Sequence, residues 1–396
     1  MRELLAPQRI AALTPAVVDR VRDRLITTGE PITPAVVAAA VRAESGGVLG
    51  DTELLATLRL LDSEFCGAGM LQPLLDDPLV TDVLVAGPDA VWVDRGRGLE
   101  RTGLRFPDAG AVWRLAQRLA MAAGRRLDEA APFVDGRLPD GTRLHAVLPP
   151  LAHDGVCLSL RAHRPAAHDL SALCRLGSFD REIEAVLRGI VRARLAFLVA
   201  GGAGSGKTTL LAALLGCVAA TERIVCVEDA SELRPSHPHV VRLVSRPPNI
   251  EGAGEITLRE LVRQALRMRP DRLVVGEVRG AEVCELLAAL NTGHDGGAGT
   301  LHANSTAEVP ARLEALAALG GLSRPALHSQ LAAAVQVVIE VRRGNDGRRR
   351  VRGIGVIDRD GELVAVRPVW RHGAGWLDGR ARFAELLDAR GVSWPC

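Results

Sequence analysis

The segment Gly201–Thr208, read Gly-Gly-Ala-Gly-Ser-Gly-Lys-Thr, constrains this chain more than any other feature. Its spacing is that of the G-x-x-x-x-G-K-[ST] loop, whose backbone N–H groups surround phosphate oxygens. An apolar run, Arg194–Ala200, precedes the loop and predicts a buried strand, and the Leu/Ala-rich run Thr208–Ala219 predicts a helix after it. Because a helix N-terminus carries partial positive charge, the order strand, loop, helix predicts a phosphate-binding site.

The lysine of this loop, Lys207, is the single lysine in 396 residues, whereas arginine supplies the other 48 of the 49 basic residues. A lysine ammonium is a compact point charge that fits between two phosphates, while a planar guanidinium is broader. We therefore expect Lys207 to bind the β- and γ-phosphates of ATP, and Thr208 to give its hydroxyl to Mg²⁺. The expected nucleotide contacts are Gly202, Ala203, Gly204, Ser205, Gly206, Lys207, Thr208 and Thr209.

The composition argues against several other classes of protein. The net charge is only +2, aromatic residues make up 3% of the chain and tyrosine is absent. This composition argues against a surface that binds nucleic acid. The seven cysteines form no C-x-x-C pair, which argues against a zinc site and a disulfide framework and suits a reducing cytoplasm. The longest uncharged stretch, Pro325–Ile339, is too short to span a bilayer, and residues 1–20 lack a signal-peptide core. We therefore expect a cytoplasmic globular protein.

The pattern along the chain predicts an α/β protein built from several parts. Residues 1–66 predict a helical N-terminal extension. Residues 67–163 combine short β-type runs with one helix, Ala109–Ala123, and predict an α+β domain. A Pro/Ala/His-rich stretch predicts a linker over 164–176. From 177 to 396 strands and helices alternate, which predicts a parallel sheet with crossover helices, followed by C-terminal β hairpins.

Two further strands of this second domain end in carboxylates. The run Arg272–Glu277 predicts a buried strand that we expect beside the phosphate-loop strand, so that Glu277 would orient and polarise the attacking water. The alternative role of Glu277 is a helix-start carboxylate. The run from Ile224 ends in Glu228, Asp229 and Glu232, and clustered carboxylates are costly unless a cation lies close. We expect Mg²⁺ near Glu228 and Asp229, partly through water, and a catalytic part for Glu228 and Glu232; the alternative is a solvated acidic loop.

Histidines and arginines supply the remaining candidates. His294 and His302 stand in a glycine-rich segment and are candidates for sensing the phosphates, with a purely structural role as the alternative. Arg137 and Arg143 flank a predicted hairpin in the first domain, and Arg161 ends a nearby strand. They would bring positive charge to the γ-phosphate if that domain closes over the nucleotide. Solvation of the protein surface is the competing explanation for all three arginines.

Four segments in this order resemble the motifs of the type II/type IV secretion ATPase superfamily, most closely its tight-adherence pilus (Tad/CpaF-like) branch. The loop resembles its Walker A motif, and the other three resemble its aspartate box, its atypical Walker B and its histidine box. These three are Glu228–Glu232, Arg267–Gly280 and Thr292–Ser305. Asp135–Arg143 and Val80–Pro88 of the first domain are also similar, so the resemblance covers about residues 65–370. Ala86 and Ala203 depart from the residues expected there, asparagine and threonine.

The resemblance implies a RecA-like P-loop ATPase that uses ATP and Mg²⁺ and forms a cytoplasmic homo-oligomer, a hexameric ring. Nucleotide would lie between the N-terminal domain and the RecA-like domain. Hydrolysis would drive an inner-membrane platform that assembles a pilus or exports protein, so the protein would sit at the inner face of the membrane through these partners. The alternatives are a conjugation-type transfer ATPase, a nucleic-acid motor on the same core, and a nucleotide-gated scaffold with little turnover. No stable nucleic-acid partner is expected.

Overall fold

The computed structural model describes residues 67–96, 98–162, 168–249, 252–344 and 346–394, with residues 24, 39, 40 and 43 in isolation. The predicted helical extension, 1–66, otherwise lies outside the described residues. The chain divides into two compact units, Met1–Arg164 and Pro165–Cys396. The division falls at the start of the stretch for which the sequence predicts a linker.

The first unit is built on a six-stranded antiparallel sheet with the order β3-β2-β1-β6-β5-β4. The core of this unit lies between the sheet and helix α2, because Val83 and Leu144 are buried in the same cluster as Leu115 of that helix. The Asp108 side chain caps α2 by accepting from the backbone N–H of Ala111. The elements are α1 (Gln72–Asp76), β1 (Asp82–Ala86), β2 (Val91–Asp94), β3 (Leu99–Arg101), α2 (Ala109–Ala122), β4 (Phe133–Arg137), β5 (Arg143–Val147) and β6 (Cys157–Arg161).

Three arginines form a cross-strand row in this sheet. Arg137 pairs in register with Arg143, and Arg143 with Arg161, across β4, β5 and β6. Residues directly opposite on neighbouring strands share one face of a sheet, and like charges in that position are destabilising. At the end of this row, Arg161 Nε donates to Asp82 Oδ1 at 2.9 Å.

The second unit carries a nine-stranded sheet with the order β15-β14-β13-β12-β7-β11-β10-β8-β9. The six strands from β12 to β9 in this order are parallel, and β13 to β15 extend the sheet antiparallel. Its strands are β7 (Phe197–Ala200), β8 (Ile224–Glu228), β9 (Val240–Val244), β10 (Arg272–Val278), β11 (Ala298–Leu301), β12 (Val337–Arg343), β13 (Arg349–Asp360), β14 (Leu363–Arg371) and β15 (Gly375–Trp376).

Helices cover both faces of this sheet and form two hydrophobic cores. Phe197 and Val199 of β7 pack with α3, α4, α5 and α10, whereas Leu198 and Ala200 pack with α6, α7, α8 and α9. Because alternate residues of a strand point to opposite faces, a strand buried on both sides reads as a continuous apolar run. The helices are α3 (Leu170–Arg175), α4 (Arg181–Arg192), α5 (Lys207–Leu215), α6 (Leu258–Ala265), α7 (Glu282–Leu290), α8 (Val309–Leu319), α9 (Arg324–Ala334) and α10 (Arg380–Asp388).

This architecture confirms the predicted fold class, an α/β RecA-like domain preceded by an α+β domain, but one adjacency was wrong. The strand ending in Glu277, β10, was expected beside the phosphate-loop strand β7, and β11 lies between the two. The segment predicted as a linker also contains α3, whose Leu170 and Leu173 are buried in the core of the second unit. Among the described residues, no helix is long and apolar enough to cross a membrane.

One arginine is buried at the amino-terminal edge of the parallel strands. Arg272 begins β10 with 2% of its side chain exposed and donates to Glu222 at 2.7 Å through Nε. Its other nitrogens donate to the carbonyl oxygens of Val191 and Gly296, at 3.1 and 3.3 Å. A Cβ at Gly296 would lie 2.0 Å from Arg272 Nη1, so this position requires glycine. The pair of Arg272 and Glu222 therefore ties β10, α4 and the glycine-rich segment together.

Candidate functional site

The phosphate-binding loop connects β7 to α5. Gly204 and Gly206 have φ of +66° and +97°, a backbone conformation that glycine adopts without strain. A Cβ at Gly201 would lie 2.3 Å from the carbonyl oxygen of Val341, so the loop is also packed too tightly for a side chain there. The Ser205 hydroxyl donates to the Gly202 carbonyl oxygen at 2.9 Å. These contacts shape a compact turn that brings its backbone to the start of a helix.

Lys207 lies within this turn, with only 7% of its surface exposed. Its Nζ donates to the carbonyl oxygens of Gly201 and Gly202, at 3.0 and 2.9 Å. Burial lowers the pKa of Lys207, and the charges of Glu277 and Glu232 act against that shift. The ammonium is therefore a largely desolvated positive charge, and pairing with an anion such as a phosphate would offset the cost of that desolvation.

His302 lies between Lys207 and Glu277. Its Nε2 is 2.6 Å from Glu277 Oε1 and 3.4 Å from Lys207 Nζ. The shorter contact is the hydrogen bond, in which Nε2–H donates to the carboxylate. Lys207 comes after β7, Glu277 is the second-last residue of β10 and His302 follows β11, so all three lie at the carboxyl edge of the parallel strands, where ligands bind in open α/β sheets. We call Lys207, His302 and Glu277 the carboxyl-edge triad.

The acidic segment after β8 has protein partners of its own. Glu228 is 3% exposed, and its Oε1 accepts the backbone N–H groups of Glu232 and Leu233 at 3.0 and 2.9 Å. A Cβ at Gly276 would lie 2.7 Å from Glu228 Cγ, so the carboxylate packs across the neighbouring strand β10. Glu228 therefore holds the backbone of its own loop, while Glu232 is close enough to influence the pKa of Lys207.

Arg279 is a site residue for which the sequence predicted no role. It follows β10 by one residue, and its Nη2 donates to Asp229 Oδ2. Its Nη1 lies 3.9 Å from Glu277 Oε2. Asp229 also accepts from the Ser245 hydroxyl at 2.8 Å. The signals in the sequence were its place two residues after Glu277 and within the segment Arg267–Gly280. Its residue type was no signal, because arginine occurs 48 times in this chain.

His294 lies away from the carboxyl-edge triad. It precedes β11, whereas His302 follows it, so the two histidines stand at opposite edges of the sheet. Its Nδ1 contacts the carbonyl oxygen of Ala289 at 3.2 Å. The next residue, Asp295, pairs with Arg390 at 2.7 Å. Arg137 and Arg143 belong to the first unit, and their role toward nucleotide stays a prediction.

A cavity of about 220 Å³ adjoins the loop on the side of Thr209. Its wall combines apolar side chains of α3, α5, β12 and β13 with polar ones, among them Thr209 and the arginines at the start of β13. Its lining includes Leu173, Phe179, Ser205, Gly206, Thr209, Leu210, Val341 and Arg349. A cavity lined by both apolar and polar side chains, next to a phosphate-binding loop, suits the base and ribose of a nucleotide.

Mg²⁺ was expected at Thr208, Glu228 and Asp229. Thr208 is the second residue of α5, in position to offer its hydroxyl. Within the described ranges, no group of three or more His, Cys, Asp or Glu residues could hold a metal ion. Mg²⁺ beside a nucleotide takes its remaining ligands from phosphates and water, so Thr208 fits such an ion. Glu228 Oε1 and the Asp229 carboxylate have the protein partners described above, and their part in holding Mg²⁺ through water stays a prediction.

Comparison with known proteins identifies the family. The sequence profile described as "Type II/IV secretion system protein" matches residues 64–387. The chain belongs to this family. A protein of Mycobacterium tuberculosis (strain CDC 1551 / Oshkosh), described provisionally as a conjugal transfer protein, is 61% identical over 349 residues, 87% of this chain and 99% of that protein. The type IV secretion system protein PtlH homolog of Bordetella bronchiseptica is 33% identical, over 74% of this chain and 94% of that protein.

Solved structures of the type II/IV secretion family share the fold. The pilus retraction motor PilT, crystallised with bound ADP, superimposes with a TM-score of 0.52 at 20% identity, covering 74% of this chain and 82% of PilT. The printed names of the family and of these relatives refer to type II/IV secretion and conjugal transfer, and PilT was crystallised with bound ADP. The resemblance to the superfamily is thus confirmed, whereas its tight-adherence branch is not singled out by these relatives, whose names refer to conjugal transfer and type IV secretion.

Proposed function

We propose that this protein hydrolyses ATP and acts as the motor of an envelope-spanning machine that assembles a pilus or secretes protein. The observation that carries the proposal is the carboxyl-edge triad. A buried lysine of a phosphate-binding loop and a strand-end carboxylate lie on either side of one histidine, with contacts of 3.4 and 2.6 Å. This arrangement brings phosphate binding and water activation within one site.

Each residue of the triad has a defined part in the chemistry. Lys207 binds the β- and γ-phosphates, giving up its contacts with the loop carbonyls for phosphate oxygens. Glu277 orients a water and polarises it for attack on the γ-phosphorus, while the bond to the bridging oxygen breaks and ADP leaves. His302, by donating to Glu277 Oε1, fixes the direction of that carboxylate. Mg²⁺, held in part by Thr208, would neutralise charge on the phosphates when bound.

The proposal extends to a closed ring in which the first unit supplies positive charge. Arg137, Arg143 and Arg161 lie in register on adjacent strands, so three positive charges stand in one row that could approach a phosphate. A repeated head-to-tail contact closes into a ring when the rotation fits, and six subunits are the expectation from the family. Such a ring would work on the cytoplasmic side of the membrane, attached through platform proteins.

Conjugation-type transfer is the second candidate, and the 61% identical M. tuberculosis protein favours it. Deleting the gene separates the two possibilities. Loss of surface filaments or secreted proteins, with unchanged DNA transfer between cells, supports the pilus or secretion motor. Loss of DNA transfer with filaments intact supports conjugation. Aromatic residues, on which bases stack, make up only 3% of the chain. Direct movement of nucleic acid by this protein is therefore the less favoured function.

Hydrolysis itself is tested with two substitutions. Lys207→Ala should weaken ATP binding by about 10-fold or more, because a desolvated charge that contacts phosphate is lost. Glu277→Gln should keep ATP bound and lower turnover by about 100-fold or more, because the amide is a far weaker acceptor for the water proton. Nucleotide affinity and steady-state phosphate release measure the two effects.

The matched control is Glu308→Gln, which makes the same change at an exposed carboxylate paired with Asn304. Its turnover should stay within about twofold of the parent protein, as expected for a surface substitution. Near-normal turnover in Glu277→Gln would remove Glu277 from the catalytic role. A parent protein that neither binds nor hydrolyses ATP would overturn the proposed function as a whole.

A further inference from the structure

Arg349 reaches the phosphate-binding loop from the side opposite to the carboxyl-edge triad. It begins β13, and its Nε donates to the carbonyl oxygen of Gly204 at 3.0 Å. A Cβ at Gly206 would lie 3.0 Å from Arg349 Cδ, so this arginine lies directly against the loop. These contacts of Arg349 join the β12–β13 hairpin to the loop.

Arg349 and the next residue, Arg350, differ in the partners of their guanidinium groups. Arg350 forms an ion pair with Asp346 across the turn. Within the described part of the chain, Arg349 has no carboxylate partner, and its hydrogen bond is the one to Gly204. A guanidinium has five N–H donors, so Arg349 keeps donors for another acceptor. It lines the cavity together with Gly206 and Thr209 and is exposed there.

The order of groups along the loop tells which part of a nucleotide would meet Arg349. In loops of this type the lysine reaches the β- and γ-phosphates, and the backbone surrounds the α- and β-phosphates. The triad marks the γ-phosphate side, because Glu277 and His302 contact each other and Lys207 there. The cavity beside Thr209 is therefore on the side of the sugar and base.

We propose that Arg349 binds the α- and β-phosphates of the nucleotide whose base and ribose occupy the cavity, and so holds the β12–β13 hairpin to the loop. This inference rests on the proposed function and deepens it by naming a binding residue outside the family's motif segments. Because the α- and β-phosphates are common to ADP and ATP, Arg349 contributes to binding of both. Its charge acts on affinity more than on the departure of the γ-phosphate.

The test compares Arg349→Ala with Arg342→Ala, measured by calorimetric binding of ADP and of a non-hydrolysable ATP analogue. Arg342 lies on the same hairpin and is exposed, but it does not line the cavity. Arg349→Ala should raise the Kd of both nucleotides by a similar factor, about 10-fold, as expected for one charge-assisted contact. The KM for ATP should rise likewise, with kcat falling less than about threefold. Arg342→Ala should stay within about twofold of the parent protein.

The dependence of affinity on salt and a second variant, Arg349→Lys, distinguish a contribution of the Arg349 charge from a contribution of its packing against the loop. Because an exposed charge is screened, the ratio of the two Kd values, Arg349→Ala over parent, should shrink at high ionic strength. Arg349→Lys keeps the charge and should lose less ADP affinity than Arg349→Ala. An equal loss in both variants with no salt dependence would overturn the inference in favour of a structural contact, as would ADP affinity within twofold of the parent in Arg349→Ala.

The two proposals fail in different ways. If the parent protein binds ADP and Lys207→Ala weakens that binding while Arg349→Ala does not, the inference about Arg349 falls and the proposed function stands. If the parent protein binds no nucleotide, the proposed function falls and takes the inference with it.

Discussion

His302→Ala tests whether the carboxyl-edge triad works as a unit. The substitution removes the imidazole that donates to Glu277 Oε1 at 2.6 Å and lies 3.4 Å from Lys207 Nζ. Glu277 keeps a longer contact with Arg279, at 3.9 Å, and loses the hydrogen bond that fixes its direction. We expect the carboxylate to sample orientations in which it cannot align the attacking water. The catalytic rate should fall, while nucleotide affinity, carried by the loop, changes by less than about twofold.

The size of the effect follows from the exposure of the pair. A hydrogen bond to a charged group contributes about 1.5–3 kcal/mol. The side chains of His302 and Glu277 are 45% and 31% exposed, so water replaces part of the lost interaction and the lower end of that range applies. At about 1.4 kcal/mol per factor of ten, about 1.5 kcal/mol corresponds to a kcat lower by about 10-fold.

The assay is steady-state phosphate release with saturating MgATP, together with direct measurement of ATP affinity. His294→Ala is the matched control, because His294 belongs to the same glycine-rich segment but lies at the opposite edge of the sheet. Its kcat should stay within about twofold of the parent protein. In a double-mutant cycle, His302→Ala added to Glu277→Gln should cause little further loss, because the histidine acts through that carboxylate.

Three results would refute this reasoning. Equal loss of kcat in His302→Ala and His294→Ala would mean that the segment acts as a whole and the triad geometry is irrelevant. Full additivity in the double-mutant cycle would give His302 a role independent of Glu277. A loss confined to ATP affinity would make His302 a binding residue.

Two other predictions concern the first unit and the buried ion pair. Replacing Arg137 and Arg143 together by alanine should lower kcat by about 10-fold or more with a smaller change in ATP affinity, and unchanged turnover would contradict a role for these arginines. ATP analogues with Mg²⁺ should shift the parent protein to about six subunits in sedimentation, and a monomer at micromolar concentration would contradict the ring. Arg272→Met should lower the free energy of unfolding by about 2 kcal/mol, because it removes the buried pair with Glu222, which keeps its contact with Arg194 at 2.9 Å. Urea unfolding measures this change. The exposed Arg267→Met should change the free energy of unfolding by less than about 0.5 kcal/mol.

Much of the site was predictable because its central motif is contiguous. Gly201–Thr208 contains both the backbone groups and the lysine that a phosphate needs, and the flanking apolar runs specified strand and helix without long-range information. The carboxylate of Glu277 was predicted for a similar reason, since it ends an apolar run and parallel strands end at a common edge. The apolar β-type runs of the first unit likewise predicted strands near their observed positions.

The partners of the charged side chains were not predicted from the sequence. Arg272 is 2% exposed, although arginine elsewhere in this chain reads as a solvated residue. Glu228 and Asp229 were expected near Mg²⁺, and the structure gives them backbone N–H groups, Ser245 and Arg279 as partners. Residue type and spacing do not specify such pairings, because the partners are 16 to 50 residues away in the chain for Asp229.

By itself, the sequence determined the phosphate-binding loop, the alternation of strands and helices and the family, because each rests on local pattern or on ordered motifs. Only the tertiary structure decided the strand order, which inserts β11 between β7 and β10. That insertion carries His302 into contact with Glu277 and Lys207 and leaves His294 at the far edge. The physical reason is that strand order depends on how the crossover helices pack on the two faces of the sheet, a sum of long-range apolar contacts that no single segment encodes.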